Sequence, residues 1–114
     1  MTEIVMNRGG ARGEAVTIAA TTDTSDAFNA RAGIIYGVIV PAGFDGASIS
    51  FLVSIGPDDP FFALNDELGS IVTLSVSAGE AYTLPAALAP WPYFKIVSGS
   101  TESADRTLRI VSKR

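Results

Sequence analysis

The sequence contains no cysteine and no histidine. Disulfides, thiolate nucleophiles, the usual zinc sites, imidazole acid–base chemistry and a Ser–His–Asp triad are therefore excluded. Charge is also scarce, at 18% of residues, with eight Lys and Arg against twelve Asp and Glu and a net charge of −4. A nucleic-acid binder needs a basic footprint. Here the cations are scattered, and only Arg106 to Arg114 is locally basic, on a strand-like pattern. No nucleic-acid partner is expected. No apolar run approaches the roughly 18 residues of a membrane helix. The opening MTEIVMNRGG holds Glu3 and lacks the apolar core of a signal peptide. The expectation is a soluble protein made in the cytoplasm, with no membrane partner. Glycine-rich RGGARG follows no strand–helix turn, so it does not read as a phosphate loop. No cofactor is expected.

What is present suits a single all-β domain. A chain of 114 residues is near the commonest domain size and can bury a core without staples. Its hydrophobic fraction, 47%, is high for so small a protein. That excess points to surface that meets a partner.

In chain order, residues 1–13 read as a flexible N-terminal arm carrying Ile4, Met6, Arg8 and Arg12, and residues 14–114 as the folded domain. Glu14 to Ala20 reads as a strand. Thr21 to Ala30 is turn-rich, with Phe28 as an anchor into the core. Arg31 to Val40 is the most apolar segment. Strict alternation puts Ile34, Tyr36, Val38 and Val40 on one face and Ile35 and Ile39 on the other. A strand apolar on both faces is central, or is covered from outside the domain. Ala47 to Ser54 alternates most cleanly, with Ile49, Phe51 and Val53 inward and only Leu52 breaking the polar face.

Short strands follow at Phe61 to Leu64, Ile71 to Val76 and Ala81 to Leu84. Pro85 to Ala89 reads as one short helical turn, with proline at its start. Trp91 stands between Pro90 and Pro92, ahead of a strand from Tyr93 to Ser98. Arg106 to Ser112 closes the sheet. About eight strands with regular turn signals predict an antiparallel β-sandwich resembling a jelly roll.

Two constellations invite chemistry. Asp58, Asp59, Asp66 and Glu67 flank the short Phe61 strand. They lack calcium-loop spacing, and carboxylates in turns are ordinarily solvated. Glycoside hydrolysis would require two of them across a cleft. The aromatics Trp91, Tyr93, Phe61 and Phe62 offer a sugar-stacking platform. The stronger reading makes Trp91, Tyr93 and Phe94 a plug closing one end of the core.

Several stretches resemble small proteins encoded in the structural gene regions of tailed phages and prophages. The pattern VPAGFxGxxxxF is matched by Val40 to Phe44, Gly46 and Phe51. A D/E-x-G turn is matched by Glu67 and Gly69, before Val72 and Leu74. LPAALAPWxYxKIxSG is matched by Leu84 to Trp91, Tyr93, Lys95, Ile96, Ser98 and Gly99. ADRTLxxV is matched by Ala104 to Leu108 and Val111. The resemblance runs from about Ile39 to Ser112.

It implies a non-enzymatic virion role. A small, acidic, apolar-rich all-β protein suits a capsid decoration, or cement, protein on the head exterior. Such a protein binds the major capsid protein and assembles with itself, commonly as a homotrimer. The arm and the outer face of the apolar strand, with Ile34, Tyr36 and Val38, are then the expected partner contacts. The alternatives are a head–tail connector, a tail or fibre-associated protein, and a carbohydrate-binding module.

Overall fold

The computed structural model describes residues 11–31 and 33–113, and for residues 11–13 the backbone alone. It is an antiparallel β-sandwich with nine strands among the described residues. They are β1 (Ala11–Ile18), β2 (Phe28–Asn29), β3 (Ile34–Ile39), β4 (Ser48–Ser54), β5 (Phe62–Ala63), β6 (Thr73–Ser75), β7 (Ala81–Thr83), β8 (Tyr93–Ser98) and β9 (Arg106–Lys113). One sheet runs β1-β9-β3-β7. The other runs β2-β8-β4-β5, with β6 also paired to β4.

The pairing has a simple logic. The first strand pairs with the last, the second with the next to last, the third with β7, and β4 with β5 and β6. The chain is thus one long hairpin, rolled up by the extra pairs β3–β9 and β4–β8. With β5 and β6 sharing one position, this is the eight-position jelly roll that the strand count predicts.

Alternation explains the core. Ile49, Phe51 and Val53 of β4 are buried, as are Phe94 and Ile96 of β8 and Leu108 and Ile110 of β9. Phe94 lies between Phe28, at 5.1 Å between ring centroids, and Phe51, edge-on at 6.3 Å. Such tilted contacts suit the ring quadrupoles. The predicted helical turn is a 3-10 turn at Ala86–Leu88, opened by Pro85 and closed by a hydrogen bond from the Leu88 N–H to the Pro85 carbonyl. It buries Leu88.

Two local readings change. β1 begins at Ala11, three residues before the predicted strand, because Ala11, Arg12 and Gly13 pair with Lys113, Ser112 and Val111. Edge pairing to a long partner overrides the weak strand propensity of glycine. Phe28 is buried as expected, and its segment forms the two-residue β2 instead of a loop.

The larger correction is in β3. Ile34 and Ile35 pair with Lys113 and Ser112, but Gly37 pairs with Val111, so Tyr36 is an extra residue in the ladder. This β-bulge shifts the register by one, which exchanges faces beyond it. Ile34 and Tyr36 point outward as predicted. Val38 does not: it is 1% exposed, and Ile39, at 44%, takes its outward place. Glycine at the bulge is also a matter of space. A Cβ on Gly37 would lie 3.0 Å from the Tyr82 carbonyl oxygen.

Candidate interaction surfaces

A buried ion cluster positions the loops at one end of the sandwich. Glu102 is 0% exposed, and both of its oxygens are fully engaged. Oε1 accepts from the Asp45 N–H at 2.9 Å and from Arg106 Nε at 3.1 Å. Oε2 accepts from the Gly46 N–H at 3.1 Å and the Ser98 hydroxyl at 2.7 Å. Its own backbone accepts from the Thr21 N–H and donates to the Thr22 carbonyl. That anchor holds Thr21 at φ 69°, in the left-handed region a β-branched residue rarely adopts.

Asp45 completes the cluster. It accepts from the Ser103 N–H and hydroxyl and faces the Arg106 guanidinium at 3.4 Å. The Ser103 bonds, aided by Arg106, hold its carboxyl below the usual aspartate range. Small residues leave room for this packing: a Cβ on Gly43 would sit 2.9 Å from an Arg106 nitrogen, and one on Gly46 would collide with the Ser98 hydroxyl. Every acceptor of Glu102 is committed to a neighbour, so the cluster is a clamp between loops. In the sequence Glu102 stands in the polar stretch between the Tyr93–Ser98 and Arg106–Ser112 strands. Ser98 and Arg106 are each four positions from it, but the amides that complete its enclosure, Gly46 and Asp45, are 56 and 57 positions away.

Two apolar surfaces remain exposed. The first is the outer face of the β1-β9-β3-β7 sheet. Ile34, Tyr36 and Ile39 stand on it beside Val111, with Lys113 reaching over the Tyr36 ring at 5.4 Å. Cross-strand rows place Arg109 next to Ile39 and Lys113 next to Ile34. Ala81 and Thr83 flank the shallow groove between β3 and β7. Of the expected partner contacts, Ile34 and Tyr36 lie here together, and Val38 faces the core. Ile4, Met6 and Arg8 lie outside the described residues, as does the Arg12 side chain. Ile39 joins Ile34 and Tyr36 on this face, against strict alternation, and Gly37 within the strand is the sequence signal of the bulge that puts it there.

The second surface is at the β4–β5 edge. Ser54, Ile55, Asp59, Pro60, Phe62 and Trp91 line a depression of about 290 Å³. Ile55 and Phe62 are largely exposed. Of the predicted plug, Phe94 lies in the core and half-buried Trp91 packs against it while also lining the depression, whereas Tyr93 is buried outside that cluster. The proline-bracketed corner turns just past the 3-10 turn, where the Trp91 N–H bonds the Leu88 carbonyl, and that leaves the indole at the rim. Tyr93 is covered by Arg31, whose guanidinium donates to its hydroxyl at 2.9 Å.

Nearby, the 65–71 hairpin carries exposed Leu68 and Ile71. Asp66 shapes it, accepting from the Leu68 and Ser70 N–H groups ahead of Gly69 at φ 84°. Asp58, Asp59 and Glu67 are exposed. Among the described residues no three carboxylates converge on a common point that could hold a metal ion.

No protein-family model matches the sequence, and no curated protein matches it. Among solved structures, the fold is similar to the crystal structure of the SPBc2 prophage-derived protein YomS. The TM-score is 0.57 at 13% identity, with all of both chains covered. The jelly roll is therefore shared from end to end with a prophage-derived protein.

Proposed function

We propose that this chain is a non-enzymatic structural protein of a tailed-phage virion, and within it a capsid decoration protein. In this reading it sits on the capsid exterior, binds the major capsid protein and associates with itself, bridging capsid subunits. The observation that carries the reading is the presence of two exposed apolar surfaces on a fold shared over its whole length with a prophage-derived protein. Apolar patches of this kind on a small domain mark contact sites. The clamp at Glu102 stiffens the loops that a bridging protein would need to hold still.

Quantitative mass spectrometry of purified particles tests the proposal. Hundreds of copies per particle are expected of a decoration protein. A dozen or fewer would move it to the neck, tail or fibre. Absence from particles would overturn a virion role.

Trp91 and Phe62 at the rim of one depression favour a second reading, a carbohydrate-binding module. Glycan binding that disappears in a folded Trp91→Ala variant would establish it.

A further inference from the structure

The two exposed surfaces are complementary in charge as well as apolar. On the outward positions of β1, β9, β3 and β7 the charged side chains among the described residues are Arg109 and Lys113. No carboxylate stands on those positions, although the protein is acidic overall. Glu14 of β1 is exposed but stands opposite the buried Ile110, at an inward register position, and Glu80 belongs to the turn beyond the Ile39 end. The β4–β5 edge has the opposite character. Its depression includes Asp59, and Asp58 and Glu67 are exposed in the flanking turns. The cations on that side are engaged by neighbours: Lys95 lies over the Phe61 ring at 4.6 Å, and Arg31 donates to the Tyr93 hydroxyl at 2.9 Å.

We infer that a second copy of this chain docks head to tail, setting the Tyr36–Ile39 face of one molecule on the Ile55–Phe62–Trp91 depression of the next. Each surface has an apolar centre that excludes water. Arg109 and Lys113 of one copy then lie opposite Asp59 and Glu67 of the other. Such an arrangement gives register and association rate more than raw affinity. Self-pairing of the cationic face is disfavoured, because it would set Arg109 and Lys113 against their own kind. The contact is therefore between unlike surfaces, and repetition of it closes into a ring when the rotation per subunit allows.

The inference deepens the self-association in the functional reading above, and it is measured on the isolated chain. Sedimentation velocity over a concentration series is the test, with wild type, Ile39→Asp and Phe62→Asp. Both residues are exposed, so circular dichroism should show unchanged folds. If either variant misfolds, Tyr36→Glu and Ile55→Glu replace them at the same two surfaces.

Wild type should associate, and more weakly as salt is raised. Each variant alone should associate about tenfold more weakly or worse. An equimolar mixture should form a 1:1 pair with wild-type affinity, because one intact surface of each kind survives. A wild type monomeric at every concentration overturns the inference. So does a mixture that stays monomeric, or loss of association in Ile39→Asp alone, which would mean the face pairs with itself. Each of these three failures leaves the virion reading standing, since that rests on presence in particles.

Discussion

Glu102 is the residue on which the loop end depends. A buried carboxylate is tolerable only when its lone pairs are met, and here two amides, a hydroxyl and a guanidinium meet them. Glu102→Ala would leave Arg106 and those donors without their acceptor. We expect a loss of about 3–5 kcal/mol in unfolding free energy, read from urea denaturation. Asp45 adds a pH dependence. Its folded-state pKa lies below the unfolded value, so the folded state favours the ionised form. The stabilisation is therefore complete above the ordinary aspartate pKa of about 3.9 and fades as pH falls through the lower folded value. The urea midpoint should drop on acidification in that window, and Asp45→Asn should flatten that part of the profile. None of this was visible locally. Glu102 reads as one more polar loop residue until the fold brings the Asp45–Gly46 turn to it.

At the scale of the element, the bulge in β3 decides which side chains a partner can meet. Without the extra residue, Val38 would be outside and Ile39 inside. The two substitutions that separate these cases are opposite in outcome. Val38→Asp buries an unpaired charge and should cost more than about 4 kcal/mol, or prevent folding. Ile39→Asp lies on the outer face and should stay within about 0.5 kcal/mol of wild type. Thermal melts of the pair check this, and equal losses would mean an unbulged strand. The existence of the strand was legible, because a run rich in Ile and Val suits a central position, and β3 does lie between β9 and β7. Its facing was legible only as far as Tyr36. Gly37 gave warning of an irregularity, but the position of the extra residue follows from pairing with β9. The same contrast holds for the aromatic corner. Phe94 follows the strand period into the core, Tyr93 is buried on the other face beneath Arg31, and Trp91 precedes the strand, so its burial depends on where the corner turns.

At the scale of the molecule, nearly every strand pair joins distant parts of the chain. β1 pairs with β9 and β2 with β8, so large loops must close before the sheets gain stability. Folding should be slow for the size, on the order of milliseconds to seconds, with one cooperative transition. Stopped-flow refolding and equilibrium urea curves by two probes would show it. Microsecond folding, or two separated transitions, would contradict a single rolled sandwich. The whole molecule also sets apart a cationic apolar face and an acidic apolar edge. Each is built from segments remote in sequence, which is why the apolar excess in the composition predicted a partner surface without locating one.

By itself the sequence determined the class of the protein. Alternation with a period of two, regular turn residues and the absence of cysteine and histidine are properties of adjacent residues and of composition, and they dictate an all-β domain without thiol or imidazole chemistry. They also place Ile49, Phe51, Val53 and Phe94 in the core. Only the tertiary structure decided the strand order, the face taken by Ile39, the half-burial of Trp91 and the enclosure of Glu102. Each of these depends on a partner many residues away, and local periodicity carries no information about which distant segment supplies the next strand or the next hydrogen-bond donor.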